Sequence, residues 1–244
     1  MKDFAVNYEG DDIVAYNKLL FETFPQTLFD PGYLASNSLL NINNVKVSHG
    51  RGAIYHFEYK GIDLVLRHYH RGGIPAKLID DKYFWLTLEK SRAMQEIEML
   101  STLHEAKLPV PKPAAVRIHK NKFTYQADII TVLIPNAKTL SSILFHTVLA
   151  NEAWCRVGRV IKNFHNQNCY HADLNAHNIM LKNEGSSVYL IDFDKSKIKT
   201  SSEKWKVKNL QRLKRSLEKL VKNNKGFNYS TADFDSLMQG YAAL

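Results

Sequence analysis

The chain has 244 residues, 45% of them hydrophobic and 23% charged, which excludes a disordered or fibrous protein and suffices for one or two modest cores. Its net charge of +9 predicts attraction to something anionic, whether nucleotide, nucleic acid or a phosphate-bearing membrane surface. Two cysteines, Cys155 and Cys169, are too few for a disulfide framework and lack metal-ligand spacing; no apolar run approaches the roughly 20 residues of a membrane span; and residues 1–7 hold no apolar export core, so a reducing cytoplasm and at most peripheral membrane contact are expected.

Residues 1–44 mix aromatics with Asn, Asp and Pro, and predict an irregular cap with small helices, one of them over 13–21. From Val45 to Leu66 the pattern is that of a β-meander: Val45-Lys46-Val47, then residues 53–59 in rough alternation, Lys60-Gly61 as a turn, and residues 62–67. Its first connection carries Gly50 and Gly52, where backbone amides could approach phosphates; an ordinary tight hairpin is the competing explanation. The third strand ends on Arg67, a phosphate-binding cation or a surface charge. Next comes His68-Tyr69-His70-Arg71-Gly72-Gly73, a basic loop in which Arg71 could hold an anionic group.

Residues 82–106 carry a helical stripe through Trp85, Leu88, Ala93, Ile97, Leu100 and Leu103, ended by Lys107-Leu108-Pro109-Val110-Pro111. Glu96 lies on it, with Glu89 and Glu98 as rivals for any paired role. Two further strands, 114–119 and 127–134, lead to a hinge at Pro135-Asn136-Ala137-Lys138. Beyond it the chain turns helical, over 140–145 and 153–166, with Trp154, Val157, Val160, Ile161 and Phe164 on one side. His165 is expected to cap or pack.

That helix delivers Tyr170-His171-Ala172-Asp173-Leu174-Asn175-Ala176-His177-Asn178, flanked by two short apolar runs and followed by Ile191-Asp192-Phe193-Asp194. His-x-Asp-x-x-x-x-Asn has the spacing of a kinase catalytic loop, and Asp192 falls where a metal-binding Asp is expected. Phosphoryl transfer needs these types: one carboxylate to orient a hydroxyl, another with an amide oxygen to hold Mg²⁺ against ATP. Asp173 takes the first role, Asn178 and Asp192 the second. A polar turn between two core strands is the bland alternative.

Under this reading Gly50 and Gly52 cover the nucleotide, Arg67 stands where kinases carry a phosphate-gripping Lys, and Glu96 pairs with it. Lys60 and Lys77 are alternatives to Arg67. Residues 1–135 then form a β-rich nucleotide-binding lobe with an irregular cap, and 136–244 a helical catalytic lobe. After a short basic segment with no long activation loop, residues 205–222 form an amphipathic helix with Leu210, Leu213, Leu217, Leu220 and Val221 inward. Its basic side, Lys206 and Arg212 included, either meets an anionic bilayer or is solvated. Phe234, Leu237, Met238 and Tyr241 predict a last helix.

These residues together resemble the bacterial 3-deoxy-D-manno-octulosonic acid (Kdo) kinases, relatives of the lipopolysaccharide core heptose kinases. The resemblance rests on Gly50-Arg51-Gly52, Leu64-Val65-Leu66-Arg67-His68-Tyr69 with Arg71-Gly72-Gly73, Leu108-Pro109-Val110-Pro111, the Tyr170 to Asn178 loop, Ile191-Asp192-Phe193-Asp194 and Asn209-Leu210-Gln211-Arg212-Leu213. It implies a two-lobed protein-kinase-like α+β fold, and ATP-dependent phosphorylation of the Kdo 4-hydroxyl on a lipid A precursor at the cytoplasmic face of a Gram-negative inner membrane. Arginine-rich recognition suits an acceptor with a carboxylate and phosphates. Competing acceptors are heptose, another small molecule or a protein hydroxyl. An inactive kinase-like module that binds membrane or nucleic acid is opposed by Asp173, Asn178 and Asp192 together, and nucleic-acid binding lacks a motif or stacking platform.

Overall fold

The computed structural model describes residues 2–40, 46–48, 52–70 and 81–243. They form two compact units, residues 1–101 with 112–133, and residues 102–111 with 134–244.

The first unit is built on an antiparallel sheet. β1 (Phe4–Glu9) and β2 (Asp12–Asn17) are a hairpin closed by Gly10-Asp11, with Gly10 at φ +60°. This overturns the helix expected over 13–21. Ile13, Val14, Ala15 and Tyr16 are all buried because β2 is paired on both sides, and such an unbroken apolar run has no period that separates strand from helix. The hairpin also replaces the first part of the irregular cap expected over residues 1–44, which is present only from residue 18: a 3₁₀ turn (Gln26–Phe29), then α1 (Pro31–Ser36), with Pro31 in its first turn and the Asp30 carboxylate accepting from Gly32 N at 2.8 Å. It buries Phe21, Phe24, Leu28, Phe29 and Leu34 against Val14, Tyr16, Phe57, Leu64, Leu66 and Ile130 of the sheet.

The meander follows as β3 (Lys46–Ser48), β4 (Gly52–Tyr59) and β5 (Ile62–His68). Lys60 and Gly61 both take positive φ, 50° and 74°, as a tight two-residue hairpin needs when its twist must match that of the strands. β6 (Tyr83–Phe84) adds to β8 (Thr124–Val132), and β7 (Pro113–Asn121) lies between β8 and β2, giving the order β1-β2-β7-β8-β5-β4-β3.

α2 is Arg92–Glu105, ten residues shorter at its start than the expected helix. Tyr83 pairs with Tyr125 across the sheet, rings 5.4 Å apart, and Ser91 caps the helix: its hydroxyl oxygen accepts from Met94 N at 3.4 Å. Trp85 and Leu88 therefore belong to the approach to α2, and Ala93, Ile97, Leu100 and Leu103 are its buried stripe.

In the second unit, β9 (Ala137–Thr139) pairs with β11 (Ile179–Lys182), so the expected hinge shrinks to Pro135 and Asn136, the latter at φ 58°. α3 (Leu140–Leu144) is capped by Thr139, and α4 (Asn151–Asn166) precedes β10 (Cys169–Tyr170). β12 (Ser187–Leu190) completes the ladder on β11, and β13 (Lys197–Ile198) pairs with β10. α5 (Glu203–Asn223) and α6 (Thr231–Ala242) close the unit. Leu210, Leu213 and Leu217 are buried as expected, but Val221 is exposed and Lys206 is buried, its ammonium donating to Glu203 at 2.8 Å. Both cysteines are free. Among the described residues no helix is long and apolar enough to cross a membrane.

Candidate active site

In the first unit, Arg67 Nη2 donates to both carboxylate oxygens of Glu96, at 2.7 Å each. Glu96 is only 3% exposed, so its charge rests on these contacts and on the Tyr69 hydroxyl, which donates to Oε2. The Arg67 guanidinium also lies 4.7 Å from the Tyr69 ring centre. Of the rivals, Glu89 precedes α2 and is exposed, and Lys60 is in the β4–β5 turn. Gly52 opens β4 opposite Ser48. Gly50, Arg71 and Lys77 lie outside the described residues.

In the second unit, the ladder of β11 on β12 brings Asn178 opposite Ile191, whose N–H donates to the Asn178 carbonyl at 3.0 Å. Asp192 is the next residue. Asn178 Nδ2 donates to the Asp173 carbonyl at 2.9 Å, and Asn175 Nδ2 donates to the same oxygen at 3.0 Å. Asp173, Asn178 and the start of the Asp192 segment are thereby tied to one another through backbone.

His171 supplies the second tie. Its Nε2–H donates to the Ile191 carbonyl at 3.0 Å while Nδ1 accepts from Asp173 N at 3.2 Å, a pattern only the neutral imidazole can make. Burial pushes its pKa down, against the bond to Ile191 and the charges of Asp192 and Asp173, which push it up. Asp192 itself takes φ 63°, an unusual conformation for a residue with a side chain, and Phe193 is buried beneath it against Phe164 and His171.

Three contributors had no site role in the sequence reading, although Asn209 and Arg212 belong to a motif that carries the family resemblance. Arg212, read there as one cation of a basic face that either meets a bilayer or is solvated, donates to Asp173 Oδ1 from Nη2 at 2.5 Å and from Nε at 3.1 Å. One turn earlier Asn209, 1% exposed, donates to the His171 carbonyl at 2.7 Å, and one turn later Ser216 accepts from Ala176 N at 3.3 Å. One edge of α5 therefore holds the loop at three points. The available signal was Asn209, a polar residue on the apolar stripe between Trp205 and Leu213.

A sheet-based unit with a strand cation clamped to a helix Glu, and a helical unit with a His-x-Asp-x-x-x-x-Asn loop locked to an Asp-Phe-Asp turn, define a kinase-like phosphotransferase. A solved structure described as WaaP in complex with acyl carrier protein has the same fold, with a TM-score of 0.55 and 14% identity over 90% of this chain and 86% of that one. The family described as "Lipopolysaccharide kinase (Kdo/WaaP) family" matches residues 40–241. Relatives named 3-deoxy-D-manno-octulosonic acid kinase include one from Haemophilus influenzae (strain PittEE), 43% identical over 79% of this chain and 82% of its own. Another, from Photobacterium profundum, is 34% identical over 91% of both chains. The chain belongs to the lipopolysaccharide kinase (Kdo/WaaP) family, and is a phosphotransferase with an alcohol acceptor.

Proposed function

We propose that this enzyme transfers the γ-phosphoryl group of ATP to the 4-hydroxyl of a Kdo sugar on a lipid A precursor, at the cytoplasmic face of a Gram-negative inner membrane. Supporting the acceptor are the relatives named as Kdo kinases at 34% to 46% identity. Supporting the chemistry is the backbone lock that holds Asp173, Asn178 and Asp192 in one loop system.

Asp173 orients the acceptor hydroxyl and takes its proton as the new oxygen–phosphorus bond forms and the bond to the β-phosphate oxygen breaks, releasing ADP. Its Arg212 contacts keep the carboxylate turned in one direction. Asn178 and Asp192 fit Mg²⁺: the Asn178 amide nitrogen is committed to the Asp173 carbonyl, which leaves Oδ1 as an oxygen donor beside a carboxylate. One carboxylate, one amide oxygen and substrate phosphates are the hard donor set that Mg²⁺ prefers. When bound, the ion neutralises charge on the transferring phosphates. Arg67, ordered by Glu96, meets a nucleotide phosphate, with the amides of Gly50 and Gly52 covering it; Arg71 meets the acceptor's anionic groups.

The purified protein, incubated with ATP, Mg²⁺ and a Kdo-bearing lipid A precursor, should add one phosphate to Kdo by mass spectrometry, and Asp173→Ala should abolish it with the melting temperature kept. Phosphate found only on heptose or on peptide would overturn the acceptor.

A further inference from the structure

The exposed face of α5 carries its charge in a pattern that ordinary solvation does not require. Lys204, Lys208, Arg212, Arg215, Lys219 and Lys222 are all exposed. At 3.6 residues per turn their spacings of four, four, three, four and three place them within a sector about 80° wide. The two acids of the helix, Glu203 and Glu218, fall outside it, Trp205 is buried at one edge of the sector, and Leu213 and Leu217 are buried on the opposite side. The row is about 27 Å long at 1.5 Å per residue, straight, and free of acid. Val207 and Val221, 47% and 40% exposed, flank it on one side.

Arg212 belongs both to this row and to the active loop, where it holds Asp173. Whatever lies along the row therefore lies beside the carboxylate that receives the acceptor hydroxyl. Building on the acceptor reading above, we propose that the α5 cation row is the surface by which the enzyme rests on the anionic face of the bilayer that carries its acceptor. A straight row of cations with aliphatic neighbours and a buried opposite side fits a planar charged interface. Single-stranded nucleic acid would call for aromatic rings among the charges, and the one aromatic residue of α5, Trp205, faces the core. An aqueous acceptor would need the cations gathered at Asp173 alone, not extended two turns to either side.

Flotation with vesicles of phosphatidylglycerol and phosphatidylcholine, without acceptor or ATP, tests this independently of which sugar is phosphorylated. Two triple variants with the same change in net charge are compared: Lys208→Glu, Arg215→Glu and Lys219→Glu on the row, and Lys18→Glu, Lys90→Glu and Lys138→Glu away from it. The row variant should lose about a hundredfold in vesicle affinity, near fivefold for each lost cation, and the control should keep wild-type affinity. The neutral row triple with Gln, checked for an unchanged melting temperature, should show the same direction of loss. Equal loss in both triples, loss in neither, equal wild-type binding to pure phosphatidylcholine, or tighter row-dependent binding to single-stranded RNA would each overturn the proposal. Failure to phosphorylate Kdo would overturn the acceptor and leave this binding result standing.

Discussion

Arg212 holds Asp173 by a single carboxylate oxygen, with Nη2 at 2.5 Å and Nε at 3.1 Å from Oδ1. Two donors in a fixed plane set the rotation of the carboxylate as well as its distance, which a flexible ammonium cannot do. Both side chains are substantially exposed, 47% and 35%, so the pair contributes only about 0 to 1 kcal/mol to stability. Its consequence should appear in turnover. Arg212→Gln is expected to lower kcat about a hundredfold, the scale of a misplaced reacting group, while the melting temperature barely moves. Arg212→Lys should recover little. Wild-type kcat in the Gln variant, measured with both substrates saturating, would show that Asp173 needs no such restraint.

The Arg67 and Glu96 pair has the opposite balance. Glu96 is nearly inaccessible, so removing the guanidinium strands a buried carboxylate and should destabilise the fold by about 3 kcal/mol. Removing both charges costs less, because nothing is then left unpaired. In urea unfolding, Arg67→Ala with Glu96→Gln should therefore be more stable than Arg67→Ala alone. Strict additivity of the two single changes would mean that the ion pair is incidental to the packing of α2 on β5.

Chemistry was more legible in this sequence than architecture. The loop around Asp173 and Asn178 is short and local, and its residue types are dictated by one reaction, so spacing alone placed it. Glu96 was chosen with Glu89 and Glu98 left as rivals: Glu89 lies before the start of α2, and the choice between Glu96 and Glu98 depends on which side of α2 faces Arg67. The helix expected over 13–21 failed for a different reason: β2 is buried on both sides and shows no alternation, and the only local sign of its strand character was the Gly10-Asp11 turn. Tyr83 and Phe84 were absorbed into the helix expected over 82–106 because their pairing partners, Tyr125 and Thr124, are some forty residues away. Arg212 belonged to a motif that carries the family resemblance but had no assigned role, since its partner is likewise distant in sequence and only the fold brings α5 beneath the loop.

α4 and α6 meet at two glycines, a contact that residue patterns did not disclose. A Cβ on Gly158 would lie 1.9 Å from the Leu237 carbonyl oxygen and 2.8 Å from Tyr241 N, and one on Gly240 would lie 1.9 Å from the Cys155 carbonyl oxygen. The obstructing atoms are backbone, so neither helix can yield by rotating a side chain. Glycine inside a helix costs about 1 kcal/mol relative to alanine, which close approach of the two helices offsets. Gly158→Ala and Gly240→Ala should each destabilise the protein by about 3 kcal/mol despite the better helix former. A rise in melting temperature in either variant would show that the helices can separate freely.

The pH dependence of stability should have its own signature at His165. Nδ1 accepts from the Tyr241 hydroxyl at 2.8 Å and Nε2–H donates to Asn209 Oδ1 at 3.2 Å, while Asn209 in turn donates to the His171 carbonyl. This chain needs a neutral imidazole, and Tyr241, whose pKa burial pushes up to about 12, remains a donor throughout. Burial pushes the His165 pKa down from 6.5 to about 4, with the bond to Asn209 opposing and Lys206 and Lys162 adding to the fall. Between those two values the unfolded chain binds a proton that the folded chain does not, so stability rises with pH there. The contribution is fully present above about 6.5 and is lost as pH falls toward 4, by about 1.4 kcal/mol per unit. His171, shifted in the same direction, adds to it. In urea titrations, His165→Gln should be less stable than wild type at pH 7, and the gap should narrow steadily as the pH is lowered to 4. A gap that stays constant across that range would mean that His165 takes up its proton at the same pH folded as unfolded, and that the chain from Tyr241 to the active loop is differently bonded.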